Sequence, residues 1–175
     1  MSSQERIKST SERNERALGL KSTLGQGTAV TKARILEGLT CEVEEGPWKL
    51  TVDMSEKSGG NNSGPNPGIL GRGALGSCLA ISYAMWAARL GVPVQSLEVE
   101  IHADYDSRGM YGVDGVSPGY KGIRYLVKIE TTAQESEVLA MMDQADAHSP
   151  YLSVFSEPQD LNREVRIMMP GRVAP

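Results

Sequence analysis

The sequence is poor in aromatic residues, cysteine and histidine. Its 175 residues include one Phe, two Trp, six Tyr, two Cys and two His. Two cysteines cannot form the disulfide framework of a small secreted domain. The few His and Cys show no ligand-like spacing, so we expect no metal site and no cofactor. The length suits one domain or two closely joined lobes, with a core built mainly from aliphatic residues and eight Met.

The sequence also lacks an excess of basic residues and a long apolar run. Its net charge is −4, which argues against a nucleic-acid partner because phosphate binding needs clustered Lys and Arg. The longest apolar run, residues 78–88, is interrupted by Ser82 and is shorter than the ~20 residues that span a bilayer. Residues 1–22 are polar and do not resemble a signal peptide. We therefore expect a cytoplasmic protein with reduced thiols and no membrane contact.

The chain divides into an N-terminal arm and one larger domain. Residues 1–27 have the low hydrophobicity of a flexible arm or a loosely docked helix. In the domain, residues 28–175, a strand near residues 28–36 comes first. Apolar residues then alternate with polar ones through residues 39–43 and 48–54, separated by Gly46-Pro47. This period predicts a β-hairpin, and with the first strand a meander, with one buried face.

A helix over residues 69–90 is apolar on nearly every face and should therefore be central and buried. A glycine-dense loop, residues 55–68, precedes it, and Gly91 and Pro93 end it. Gly71, Gly73 and Gly76 weaken its first turns, which makes sense if a strand, another subunit or a substrate packs against its backbone.

The second half of the chain alternates strands and a helix. Strands are predicted over residues 95–105 and 123–130, joined by a glycine-rich loop. Thr132 and Glu135 form a capping-box pattern for a helix that ends near Ala147, with an apolar stripe at Val138, Leu139, Met142 and Ala145. A last strand is predicted over residues 164–169. The fold class is α+β, with lobes at about residues 28–93 and 94–170 and a β-β-α-β second lobe.

The central helix carries Cys78, the residue on which function depends. A thiol there is either a buried filler or a shielded nucleophile, and composition alone leaves both alternatives open. Cys41 is in phase with the apolar side of the hairpin and is interpreted as a small core residue.

Three segments together resemble the OsmC/Ohr family of thiol peroxidases, over roughly residues 28–170. They are PNPGILGRGALGSCLAI on the central helix, the GVPVQSLEVEI strand after it, and AHSPYLSVF at the end of the later helix. The resemblance implies a peroxidatic cysteine on the central helix, which Cys78 matches, and a resolving cysteine in a Cys-Pro dipeptide. This sequence has Ser149-Pro150 at the second place, and a serine cannot close a disulfide.

The resemblance also implies a catalytic arginine. Many hydroperoxide enzymes of the family have Asn-Pro-Glu before the helix, and the glutamate helps to hold that arginine. This sequence has Gly68 in that place, and Arg34 and Arg72 are the candidates for the arginine.

The resemblance implies an intertwined homodimer that reduces organic or hydrogen peroxide. Cys78 would react alone, and its oxidised form would be reduced by an external thiol. The alternative is a degenerate member that binds a small apolar ligand or serves as a structural dimer.

Overall fold

The structure, a computed structural model, describes residues 1–169. It begins with helix α1, Ser3–Leu20, whose first turn has a capping box between Ser2 and Glu5. The helix has no buried residue and lies along the surface of α2, where Glu15 pairs with Arg89 at 2.5 Å. Residues 170–175, the end of the predicted domain, lie outside the described residues.

The predicted N-terminal meander is confirmed. Strands β1 (Lys32–Glu37), β2 (Thr40–Glu45) and β3 (Trp48–Val52) form an antiparallel sheet in the order β1-β2-β3. Both turns use a glycine with positive φ, Gly38 and Gly46, which other residues adopt only with strain. The register separates an apolar face from a charged one. The apolar face holds Ala33, Ile35, Cys41, Val43, Leu50 and Val52, and the charged face Lys32, Arg34, Glu42, Glu44 and Lys49.

The prediction that the apolar face of this sheet is buried is wrong for the single chain. Val52 is buried, but Ile35 is 60% exposed and Leu50 is 51% exposed. The three strands contact mainly one another, and among residues 1–169 no helix covers the sheet. Alternation identifies which side chains share a face, whereas burial needs a second layer, and residues 1–169 of one chain do not supply it.

Helix α2, Pro67–Leu90, is the longest element of the described chain. The Asn66 side chain accepts a hydrogen bond from the Ile69 amide at 3.1 Å, Pro67 occupies the first turn, and Gly91 ends the helix with φ 74°. The helix is central but buried on one side only. Its buried residues are Leu75, Leu79, Ser82, Tyr83, Ala87 and Ala88.

The prediction of a fully buried central helix therefore needs correction. Ile81 is 69% exposed although it lies in the middle of α2. A helix that is apolar all round needs partners on every side, and the part of the chain that the structure describes buries only one side of α2. None of the described helices combines the length and the hydropathy needed to cross a membrane.

The covering layer comes from the second half of the chain. Strands β4 (Ser96–Asp104) and β5 (Gly122–Glu130) pair antiparallel, joined by a loop that contains the single-turn helix α3, Ser107–Met110. Helices α4 (Glu135–Ala147) and α5 (Pro150–Ser156) follow. A Cβ on Gly76 would lie 3.2 Å from the Ile101 side chain. Strand β4 thus packs against the α2 backbone at Gly76. A strand was one of the three kinds of partner expected there from the glycines of the helix.

Three details of this half differ from prediction. Gln134 and Glu137, rather than Thr132 and Glu135, form the capping box of α4. Leu139 is 53% exposed, and Met141, outside the predicted stripe, is fully buried. Residues 164–169 form no strand, so the lobe is β-β-α with the short helix α5 instead of β-β-α-β. Alternation in a short segment predicts a strand only if a sheet edge pairs with it.

The loop between β3 and α2 is organised around one carboxylate, Asp53, which is 1% exposed. It accepts hydrogen bonds from the Ser63 hydroxyl at 2.7 Å, the Thr40 hydroxyl at 3.0 Å and the backbone amides of Met54, Asn61 and Ser63. The Ser63 hydroxyl, with the other donors, lowers the pKa of Asp53 from 3.8 to about 2. This buried anion ties the meander to the segment that leads into α2.

We expect Asp53→Asn to lower stability at neutral pH and to flatten its acid dependence. A carboxyl group whose pKa is lower in the folded than in the unfolded state stabilises the fold at pH values above its unfolded-state pKa. That stability is lost as the pH falls from about 4 towards 2. Urea unfolding midpoints at pH 7, 4 and 2.5 would measure the difference. Asp114→Asn, in the exposed loop after β4, is the control. Parallel pH profiles for Asp53→Asn and the unmodified protein would contradict the prediction.

Candidate active site

Cys78 lies half-buried in the middle of α2, on the side that faces the junction between α4 and α5. Its Sγ is 3.6 Å from the Oγ of Ser149, a hydrogen-bond distance for a sulfur atom. The two residues are 71 positions apart in the sequence. The structure therefore brings together two residues that the sequence singled out, a thiol and a hydroxyl.

Ser149 is held rigidly at this place. It is 4% exposed and caps α5, where its Oγ accepts a hydrogen bond from the Leu152 amide at 3.4 Å. Its own amide donates to the Asp146 carbonyl oxygen at 3.2 Å. Because Oγ accepts from the helix, its proton is free to point at the sulfur of Cys78. A hydroxyl in this orientation stabilises negative charge on sulfur.

Neither candidate arginine hydrogen-bonds to Cys78 within residues 1–169. Arg34 bonds to Glu42 at 2.5 Å on the charged face of the meander. Arg72 donates to the Tyr120 hydroxyl at 3.1 Å. Six residues of helix separate Arg72 from Cys78 by about 9 Å along the axis and direct their side chains about 120° apart. A catalytic role for either arginine stays a prediction.

The second cysteine is not paired with the first. Both cysteines are free thiols, and Cys41 lies half-buried on β2 with its Sγ 3.7 Å from the Glu42 carbonyl oxygen. Within the described chain, the hydroxyl of Ser149 is the hydrogen-bond partner of the Cys78 sulfur. An intramolecular dithiol is thus absent from this arrangement.

An open recess of about 500 Å³ lies between α5 and the start of β5. Its lining residues are Tyr120, Gly122, Ile123, Val154 and Phe155. Tyr120 connects it to Arg72, six residues before Cys78 on α2. Among residues 1–169, no three His, Cys, Asp or Glu side chains are grouped as metal ligands would be. The exposed lining of the recess is more polar than apolar, so it suits a small molecule that carries polar groups.

Comparison with protein families identifies the family of this chain. The model of the family described as OsmC-like protein matches residues 60–163, which include α2, Cys78, α4, Ser149 and α5. The match covers more than half of the chain. The chain belongs to the OsmC-like family. No curated protein matches it.

Solved structures agree with this assignment at low sequence identity. An OsmC-like protein from Mycoplasma pneumoniae has a TM-score of 0.63 and 14% identity, over 74% of this chain and 88% of its own. An organic hydroperoxide resistance protein OsmC from Legionella pneumophila has a TM-score of 0.55 and 19% identity, over 74% and 90%. A third, from Vibrio cholerae, holds captopril in one of its active sites, with a TM-score of 0.52 and 15% identity, over 75% and 87%. At these identities the likeness establishes the fold.

The sequence of this OsmC-like protein did not identify the polar residues that lie near the Cys78–Ser149 contact. Tyr83 and Tyr125 both donate to the Asp146 carboxylate, at 2.6 and 3.0 Å. The Trp86 ring lies 5.0 Å from that of His148, the neighbour of Ser149. In the sequence, Tyr83 stands among apolar residues of α2, and nothing distinguishes Asp146 from an exposed acidic residue on α4. The one indication was the tyrosine itself, because a buried phenol hydroxyl needs a hydrogen-bond partner.

We expect Ser149→Cys to form a disulfide with Cys78 under mild oxidation. The new sulfur would start about 3.6 Å from Cys78 Sγ, and small rotations would bring it to bonding distance. Intact mass would fall by two hydrogen atoms, and dithiothreitol would reverse the change. Ser153→Cys, one turn further along α5 and exposed, is the matched control and should keep all three thiols. Three free thiols in oxidised Ser149→Cys would contradict the observed geometry, whereas one free thiol, that of Cys41, is expected.

Proposed function

We propose that this OsmC-like chain reduces organic or hydrogen peroxide through one cysteine, Cys78. The proposal is supported above all by the contact between Cys78 and Ser149 at 3.6 Å. A nucleophilic thiolate needs a partner that favours its charged form, and the Ser149 hydroxyl lies within hydrogen-bond distance of the sulfur. Two OsmC-like structural relatives described as hydroperoxide resistance proteins agree with this chemistry.

The first step balances as a two-electron transfer from sulfur to the peroxide. The Cys78 thiolate attacks one peroxide oxygen, the O–O bond breaks, and the alcohol leaves as its alkoxide and takes a proton from water. The sulfur becomes a sulfenic acid and is thereby oxidised, while the peroxide is reduced to the alcohol. Ser149 supplies a hydrogen bond to the sulfur and remains a hydroxyl throughout.

The second step needs a thiol from outside the chain, because Ser149 cannot resolve the sulfenic acid. An external thiol attacks the Cys78 sulfenic sulfur, releases water and leaves a mixed disulfide. A second thiol then attacks the external sulfur, frees the Cys78 thiol and carries away a disulfide. Two electrons per cycle thus come from two molecules of a small thiol or from one protein dithiol.

We further propose that two chains pair so that the meander of one covers α2 of the other. The proposal is supported by two exposed apolar surfaces, one on the apolar face of the meander and one on α2 at Ile81. Monomeric proteins rarely expose apolar patches of this kind together. In a two-fold dimer, the apolar face of each meander would pack against α2 of the partner, and both surfaces would be buried.

We expect the protein to sediment as a species of about twice the chain mass of 18.9 kDa. Ile35→Lys, on the apolar face of the meander, should shift it towards monomer, because a charge buried without a partner is costly. Thr51→Lys introduces the same charge on the opposite face, opposite Glu42, and should leave the dimer intact. A stable monomer for the unmodified protein at all concentrations would contradict the pairing.

A second candidate function is binding of a small apolar molecule without turnover. It is favoured by the absence of any guanidinium hydrogen-bonded to Cys78 within residues 1–169, since a cation is the usual means of activating a thiol. The recess beside α5 would receive a small ligand whose apolar part contacts Ile123, Val154 and Phe155. The binding of captopril by the Vibrio cholerae relative supports the idea that this site admits small molecules.

Reaction with cumene hydroperoxide separates the two functions. We expect the reduced protein to gain oxygen in intact mass, with a dimedone adduct mapped to Cys78, and to consume peroxide continuously when dithiothreitol is present. Cys41→Ser should behave like the unmodified protein, and Cys78→Ser should neither gain mass nor consume peroxide. An unmodified Cys78 with full survival of the peroxide would contradict the reductase. In that case, unchanged binding of the apolar probe anilinonaphthalene sulfonate by Cys78→Ser would support the second function.

A further inference from the structure

The carboxyl end of α4 is held from two sides by side-chain hydrogen bonds. From α2, the Ser82 hydroxyl donates to the Ala145 carbonyl oxygen at 3.3 Å, and the Tyr83 hydroxyl donates to Asp146 Oδ1 at 2.6 Å. From β5, the Tyr125 hydroxyl donates to Asp146 Oδ2 at 3.0 Å. Each carboxylate oxygen thus has its own phenolic donor, and three elements meet at Asp146.

The same residue holds the turn that carries Ser149. The Ser149 amide donates to the Asp146 carbonyl oxygen at 3.2 Å. Tyr83 lies five residues after Cys78 on α2. The contacts therefore close a ring that runs from Cys78 along α2 to Tyr83, across to Asp146, through the turn to Ser149, and back to the Cys78 sulfur.

The two hydrogen bonds that the Asp146 carboxylate accepts are the strong ones of this group. An ionised carboxylate is a better acceptor than a neutral group, and Tyr83 is 1% exposed, so water competes little. No Lys or Arg forms a salt bridge with Asp146 among the described residues. Burial, with the hydrogen bond to Asp146, raises the pKa of Tyr83 and of Tyr125. Both phenols consequently remain donors throughout the neutral range.

We propose that Asp146, held by Tyr83 and Tyr125, is a positioning residue that sets the Ser149 hydroxyl against the Cys78 sulfur. The inference deepens the proposed function and rests on it for its catalytic meaning. A shift of about 1 Å in the turn would break the contact at 3.6 Å, and misplacement on this scale is known to reduce reactivity strongly. Asp146 touches neither the sulfur nor the peroxide.

The test uses a readout that needs no peroxide, in the full chain with Ser149→Cys. This variant can join position 149 to Cys78 by a disulfide, and the equilibrium of that disulfide with a glutathione buffer measures how well the two positions are held together. We expect Tyr83→Phe and Asp146→Asn each to weaken the disulfide by about tenfold in its equilibrium constant, since each removes a hydrogen bond that involves a charged group. Tyr125→Phe should have a smaller effect in the same direction, because its hydrogen bond is longer.

Tyr105→Phe is the matched control. Tyr105 is 68% exposed and is not one of the two tyrosines that donate to Asp146, so the equilibrium should not change. Thermal unfolding would establish that each variant is folded at the assay temperature. If Asp146→Asn does not fold, the two Phe variants decide the result.

Two outcomes separate this inference from the proposed function. An unchanged disulfide equilibrium in Tyr83→Phe and Tyr125→Phe, with a lowered melting temperature, would overturn the positioning role and leave Asp146 purely structural. A weakened disulfide in a chain whose Cys78 never reacts with peroxide would support the positioning role and contradict the reductase.

Discussion

Packing of α2 against α4 and the β4–β5 sheet is the constraint on which the remaining structure depends. Leu75, Leu79 and Tyr83 on α2 are buried almost completely, as are Met141 and Ala145 on α4. Burial of such side chains contributes about 1.5–3 kcal/mol for each large one. Because Gly76 lets β4 approach the helix backbone, the sheet and α4 can both reach α2. That packing fixes the turn after α4, and with it Ser149, over Cys78.

Replacement of a thiol by a hydroxyl at position 149 changes what this site can do with an oxidised sulfur. A second thiol would store the oxidation in an intramolecular disulfide, whereas Ser149 can only donate or accept a hydrogen bond. In the proposed cycle the electrons would then come from a separate molecule, which needs access to Cys78. Since Cys78 is half-buried rather than enclosed, the geometry permits such access. Cys41, on the meander, is not in contact with it.

The sequence predicted those features that depend on local periodicity. It identified β1 to β5, α2 and α4 to within a few residues, because alternation and helical spacing are local properties. It failed where a distant partner decides: residues 164–169 alternate but pair with no strand, and the apolar face of the meander is uncovered. At the site, a motif marked Cys78 and a family resemblance marked Ser149. Their contact, and the role of Asp146, needed the folded chain, because 71 residues separate the thiol from the hydroxyl.

The separation of the meander into an apolar and a charged face limits which arginine could stabilise a thiolate at Cys78. If the apolar face covers a second chain, Arg34 points away from that contact, since it shares the opposite face with Glu42. Arg72 leaves α2 in another direction and is held by Tyr120. Within the described residues the hydrogen-bond partner of the sulfur is then a serine hydroxyl, which cannot act as a general acid near neutral pH. In the proposed reduction the leaving alkoxide would therefore take its proton from water, and we would expect a slower reaction than with a positioned cation.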